Sequence, residues 1–203
     1  MNNVSSFCYE QVYELRLNHI DARMTDHDLQ KIQVTKLDAV RRQLETAVIL
    51  WFQDGDPVSI HTLASAAYQV IYDLNRRRAG APMMRDSPHV RPERLAEFQR
   101  ILAQYENFFK HADRDPKKTV FFPPQITQGF ILEAIEKYAE MAHERRPLFD
   151  VFVFYLAFTE PKIFRAEFTD KLRNIVPADF LCGIGKRQFF QRAFPMFTKI
   201  ETG

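Results

Sequence analysis

The sequence predicts an all-α fold: a helical bundle followed by a phenylalanine-rich helical extension. Three observations carry this. Apolar residues recur at spacings of three and four through three successive segments, the period of a single buried helix face. Only 6 of the 203 residues are glycine, while Leu, Ala, Arg, Lys, Glu and Gln are abundant, and these residues favour helix over strand. No segment alternates apolar and polar residues as a half-buried strand does. KKTVFFPP (117–124) is the one β-like run, and its double proline makes it an extended connection.

Residues 1–35 are of mixed composition and form an arm or a helix. The bundle spans 36–145. Its first helix turns Leu37, Val40, Leu44, Ala47, Val48 and Trp51 inward. DGDP (54–57) ends that helix, with Asp56 placed as an N-cap and Pro57 at the first position of the next. The second helix, to about Gly80, buries Ile60, Leu63, Ala64, Ala67, Val70, Ile71 and Leu74. Its Ala64–Ala67 stretch lets a neighbour approach closely, which makes it the central helix.

Residues 76–94 form a linker with six arginines against Asp86 and Glu93. Pro92 opens a third helix with one apolar face of Leu95, Phe98, Ile101, Leu102, Tyr105, Phe108, Phe109 and Ala112. A fourth runs from about Pro124 to Arg145, with Ile131, Ile135, Tyr138 and Ala142 inward. The bundle core is expected to hold Leu44, Trp51, Leu63, Ala67, Ile71, Phe98, Leu102, Tyr105 and Phe109. Residues 146–203 form a helical annex of three or four short helices. Between 147 and 197 it holds 11 of the 19 phenylalanines, and Pro147, Pro161, Pro177 and Pro195 interrupt it.

The composition, 46% hydrophobic and 27% charged, is that of an ordinary globular chain. A net charge of +2 implies no partner by itself. Cys8 and Cys182 lie far apart and in no ligand spacing, so neither a disulfide framework nor a zinc site is indicated. MNNVSSFCYEQ lacks a basic region followed by an apolar run. The longest apolar run, VFVFYLAF (151–158), is far short of the roughly 20 residues that span a bilayer. A cytoplasmic protein with no cofactor and no transmembrane segment is the expectation.

The richest chemistry is in ENFFKHADRDP (106–116). At 100° per residue, Arg100, Gln104, Asn107, His111 and Arg114 share one narrow stripe away from the apolar face, and Glu106 lies on the opposite flank. Asp115 precedes Pro116 and is pushed out of helical geometry, so the helix ends there. The stretch reads as a polar helix end with suitable cations, or as a site. His111, Asp113 and Asp115 are the types that ligate metals, but no second cluster completes a shell. No Gly-x-Ser-x-Gly elbow, P-loop or Gly-x-Gly-x-x-Gly occurs. Arg76, Arg77, Arg78, Arg85, Arg91 and Arg94 form either a solvated loop or an arm that contacts phosphates. In GKRQFFQRAF (185–194), Lys186, Arg187 and Arg192 interleave with Phe189, Phe190 and Phe194. That composition suits an interfacial helix or an ordinary packed one.

SIHTLASAAYQVIYDL (59–74), followed by a helix ending in ENFFKHADRDP, resembles a group of uncharacterised bacterial proteins related to the HEPN superfamily of helical bundles. The resemblance covers about residues 36–145. It implies a homodimer and a metal-independent ribonuclease motif, in which an Arg precedes a His by a short spacing with a polar residue next to the Arg. On this sequence His111 takes the His position and Asn107 the polar one, while Glu106 stands where Arg belongs. Arg100, Lys110 and Arg114 are candidate substitutes, none at the family spacing. A carboxylate there repels the phosphate whose charge a cation should stabilise. The expectation is therefore a non-catalytic dimeric module that contacts a protein or RNA, with a ribonuclease of rearranged site (His111, Asn107, Arg114) as the alternative.

Overall fold

The computed structural model describes residues 31–113, 115–175 and 183–200. The chain divides into two units, Met1–Val34 and Thr35–Gly203. Arg114, Cys8, Cys182 and most of the N-terminal arm lie outside the described residues.

The second unit holds seven α-helices and no strand among its described residues, most of which are helical. The helices are α1 (Lys36–Phe52), α2 (Pro57–Arg77), α3 (Pro92–Lys110), α4 (Ile126–Ala142), α5 (Pro147–Thr159), α6 (Ala166–Ile175) and α7 (Lys186–Ile200). Short 3₁₀ turns lie at Met84–Asp86 and Pro161–Ile163. None of the described helices is long and apolar enough to cross a membrane.

Local chemistry sets the helix ends. Thr35 and Asp38 form a reciprocal capping box at α1, each side chain accepting from the other's backbone N–H at 3.1 Å. Asp56 caps α2 by accepting from the Ser59 N–H at 2.7 Å, and Pro57 follows at N1, as its sequence predicts. Both helices close alike. Asp54 and Ala79 adopt φ of 57° and 53°. The next residues, Gly55 and Gly80, donate back to the carbonyls of Leu50 and Asn75 at 2.8 and 3.0 Å, the six-to-one bond of a Schellman end. At Gly80 a Cβ would collide with the Asn75 side chain, so the glycine serves close approach while Ala79 takes the left-handed turn.

α1, α2 and α4 form the centre. Ala64, Ser65 and Ala67 are fully buried, and their small size lets α1 and α4 close on α2. The phenylalanine-rich segment shares this core. Trp51 and Phe52 of α1 meet Phe152 at 5.0 and 6.3 Å between ring centroids, and Phe52 stacks on Phe190 at 4.7 Å. Phe149, Phe152, Phe154 and Phe189 are buried. These rings line the chain's own interior, so their number is no argument for a subunit contact.

α3 is peripheral, packing on α2 and on the 84–86 turn. Leu44, Trp51, Ala67, Ile71 and Leu102 are buried as expected, but Leu63, Phe98, Tyr105 and Phe109 are only partly so, and Ile101 is 47% exposed. The apolar stripe of α3 is regular, but it meets helices on one side only.

Candidate functional site

The outer face of α3 carries a cleft of about 350 Å³ lined by Arg100, Gln104, Asn107, Phe108, His111, Asp113, Asp115 and Lys118. Helical periodicity builds its floor: residues 100, 104, 107, 108 and 111 fall on adjacent rows. The helix ends at His111, whose backbone turns extended (φ −130°, ψ 123°) while its N–H still donates to the Asn107 carbonyl at 3.0 Å. Beyond Asp115–Pro116 the chain doubles back. The Lys118 N–H bonds the Asp115 carbonyl at 2.9 Å, and Lys118 Nζ pairs with the Asp115 carboxylate at 3.4 Å. The returning loop forms the second wall.

The cleft has unmatched donors. Among the described residues, the side chains of Arg100, Gln104, Asn107 and His111 have no hydrogen-bond or ion-pair partner. Asp115 is matched by Lys118, and Asp113 has an interaction of its own. His111 is exposed, off the apolar face as expected. His111, Asp113 and Asp115 do not come together as a metal-ligand set. Arg114 lies outside the described residues.

Glu106 stands on the opposite flank and is buried, 9% exposed. Its carboxylate accepts from Lys110 Nζ at 2.7 Å and faces Arg85 Nη2 at 3.7 Å. Glu106 is thus no vacated position in the cleft. It anchors the linker from behind.

That anchoring divides the six linker arginines. The Arg85 guanidinium bonds Gln69 and lies over the rings of Tyr68 and Tyr72 at 5.7 and 5.3 Å. Its backbone N–H donates to the Tyr68 hydroxyl at 3.2 Å, and its carbonyl accepts from Gln99 at 3.1 Å. Nearby, the Met84 N–H donates to Glu133 at 2.7 Å, and Met83 is buried. Burial raises the Glu133 carboxyl above its ordinary range. Arg85 is therefore a structural pin. Arg78 pairs with Glu140 at 2.6 Å and Arg94 with Glu97 at 2.9 Å, while Arg76 lies over Tyr72 at 5.7 Å. Arg77 and Arg91 are exposed with no ion-pair partner among the described residues.

Beneath α3, His61 of α2 is fully buried. Its Nδ1 lies 3.0 Å from the Thr127 hydroxyl, and its Nε2 has no partner. Tyr105, Phe109, Phe122 and Phe130 surround the ring at 5.0–6.2 Å. Burial pushes the imidazole down to about 4, against the upward pull of Glu106 and with a further downward push from Lys110. Nothing in the local sequence marks this residue, because a polar position on a helix looks alike whether it is buried or wet.

A second cleft, also of about 350 Å³, lies where α1, α2, α4 and α5 end, with Trp51, Ile60, Tyr155 and Lys186 in its walls. Lys186 is already committed there, over the Trp51 ring at 4.6 Å and paired with Asp54 at 3.0 Å. Arg187 bonds the Gln53 carbonyl at 2.5 Å. The apolar face of α7 is turned inward, with Phe189 buried and Phe190 and Phe194 partly so.

Sequence reasoning groups Arg100, Gln104, Asn107 and His111 by spacing. It misses Lys118, because the fold-back after Asp115–Pro116 is a loop geometry with no periodic signal. It also misses the inward turn of Arg85. Comparison with protein-family models, with curated proteins and with solved structures yields no match.

Proposed function

We propose that the chain is a non-catalytic helical binding module, of the HEPN-like kind its sequence resembles, and that it holds RNA in the cleft on the outer face of α3. One observation carries this reading: Arg100, Gln104, Asn107 and His111 bring unpartnered donors to one opening. Guanidinium, amide and imidazole groups are the donors that phosphate oxygens and base edges accept from. Exposed Arg77 and Arg91 are available for further phosphates, whereas Arg85 is withdrawn from that role by Glu106.

The spacing of the charges favours binding over cleavage. Metal-independent cleavage needs a base and a cation on the same phosphoryl group. Arg100 and His111 are eleven residues apart, about 16 Å along the helix axis, further than one such group reaches. Lys110, adjacent to His111, is committed to Glu106. Among the described residues the ribonuclease reading draws on one contrary feature: Lys118 lines the same cleft as His111.

Labelled single-stranded RNA, followed by fluorescence anisotropy and by gel in EDTA, separates the two readings. The expected result is binding that weakens with salt and no cleavage. Removing Arg100 should lower the log–log salt slope by about 0.7, one phosphate on a single strand. Cleavage in EDTA that His111→Ala abolishes would replace this reading by the ribonuclease one. A homodimer belongs to the same reading, with the exposed Ile101 flank of α3 as the surface a second copy covers. Light scattering at micromolar concentration tests it, with 23.9 kDa as the monomer mass against twice that.

A further inference from the structure

Phe121 is 100% exposed, yet the chain on either side of it is fixed. The Tyr105 hydroxyl donates to its carbonyl at 3.1 Å. Phe122 is wedged among His61, Tyr105 and Phe109, with ring centroids 5.0, 5.1 and 5.2 Å away. Pro123 and Pro124 follow, and each fixes a further φ. The alternation is that of an extended segment, where successive side chains point to opposite sides: Phe122 goes in, and Phe121 must go out. The backbone under Phe121 is thus pinned while its ring meets only water.

Two lysines lie close to this ring in sequence. Lys117 and Lys118 precede it by four and three residues, and Lys118 lines the cleft that holds Arg100 and His111. Three extended residues span at most about 11 Å, so the Phe121 backbone lies within that reach of the Lys118 backbone at the cleft wall. The lining itself has no surplus charge, because Arg100 and Lys118 are offset by Asp113 and Asp115, the last paired with Lys118 at 3.4 Å. Coulomb attraction alone makes a weak site of it, and a second source of affinity is needed.

We propose that Phe121 is a stacking platform for an unpaired nucleobase, and that the ligand of this face is single-stranded rather than duplex RNA. The inference rests on the RNA reading of the α3 cleft and narrows it. A pinned aromatic face near unpartnered hydrogen-bond donors can hold a single strand by stacking without reading its sequence. A base inside a duplex is already stacked on both faces and has none to offer, so the same ring gains nothing from double-stranded RNA. Pinning also limits the ordering cost of binding, since only the ring's own rotation is lost.

The test measures anisotropy of labelled single-stranded RNA, and of a duplex of equal length, on the full chain and on Phe121→Ala, Phe121→Trp and Arg100→Ala. Because Phe121 touches only solvent, none of the variants at that position should change the melting temperature. Phe121→Ala is expected to weaken single-strand binding about 5- to 150-fold with the salt slope unchanged. Phe121→Trp should retain or tighten it, and duplex binding should be weak and indifferent to both. If Phe121→Ala binds the single strand like the parent while Arg100→Ala weakens it, the platform is refuted and the RNA reading stands. If Phe121→Ala weakens single strand and duplex equally, the ring is a general apolar contact and the platform is again refuted. If the parent binds neither RNA, or Arg100→Ala changes nothing, the RNA reading falls and the inference with it.

Discussion

Nine residues of α2 are buried and two of α3, although the helices are nearly equal in length, 21 and 19 residues. The difference lies in their neighbours. α2 has α1 on one side, α4 on another and α3 on a third, and its small residues Ala64, Ser65 and Ala67 admit close contact. α3 meets one helix, α2, besides the 84–86 turn and the 121–122 connection. Even its inner side differs in kind, for one of its two buried residues is a carboxylate, Glu106. A helix enclosed on three sides can do little but hold the fold together. A helix leaning on one side keeps a whole face for contact, and it is there that unpartnered donors collect.

A matched pair of substitutions is the strongest way to break this comparison. Ile71 of α2 is fully buried and Ile101 of α3 is 47% exposed. Ile71→Ala should cost about 2–5 kcal/mol, the loss of buried methylenes plus the cavity they leave. Ile101→Ala should stay within about 0.5 kcal/mol at concentrations where the chain is a monomer. Equal shifts in the urea midpoint for the two would mean that α3 is as deeply covered as α2.

Glu106 tests the inner side of α3 next. Truncation to alanine strands Arg85 against Tyr68 and Tyr72 with no counter-charge, and breaking such a pair from one end costs about 3 kcal/mol. Replacing both ends, Arg85→Met with Glu106→Leu, should recover most of that loss, because a buried pair exchanged for packed apolar groups is often neutral. Glu106→Arg is expected to be the worst of the set. It places a third cation beside Arg85 and Lys110, and it leaves the cleft on the other flank unchanged.

His61 lies at the seam between the two helices and makes the seam sensitive to acid. Its folded pKa of about 4 is below the ordinary value of about 6.5. The native state therefore refuses a proton that the unfolded chain accepts. The stabilisation is fully present above pH 6.5 and is lost as pH falls from there to about 4, by at most about 3 kcal/mol over that window. Urea midpoints between pH 8 and pH 4 should trace the loss, and His61→Gln should flatten it. Asp38 and Asp56, whose carboxyls are held low by the Thr35 and Ser59 hydrogen bonds, give way only at lower pH.

Much of this arrangement is legible in the sequence. The helices α1 to α4, the Asp56–Pro57 start of α2, and the Arg100–Gln104–Asn107–His111 stripe all follow from a fixed 100° step, because each depends on residues close in sequence. The rest depends on partners that spacing does not reach. Six arginines between 76 and 94 look equivalent in sequence. Only the fold, which brings Glu106 and Gln69 to Arg85, makes one of them structural. The depth of the α3 apolar face is overstated by its pattern for the same reason. Phe98, Tyr105 and Phe109 point inward as their spacing demands, but periodicity gives a direction and not the number of neighbours waiting there. Residues 146–203 read as an annex because proline breaks them up, and contacts such as Phe52 with Phe190 carry no local signal.

The smallest effect on stability belongs to His111, and it sharpens the contrast most. The residue is exposed at the end of α3, and its side chain has no partner among the described residues. His111→Ala should leave the urea midpoint within about 0.5 kcal/mol of the parent, and the melting temperature with it. Its effect should appear instead in RNA affinity, as a loss of less than about tenfold, the scale of one hydrogen bond worth about 1 kcal/mol. His61→Ala supplies the opposite case, a histidine enclosed by aromatic rings rather than open to water. A large drop in melting temperature is expected of it, with no change in RNA affinity for the protein that remains folded. If instead His111→Ala lowers the melting temperature as His61→Ala does, His111 is a packing residue, α3 has no free face at its C-terminal end, and the cleft is not the contact surface.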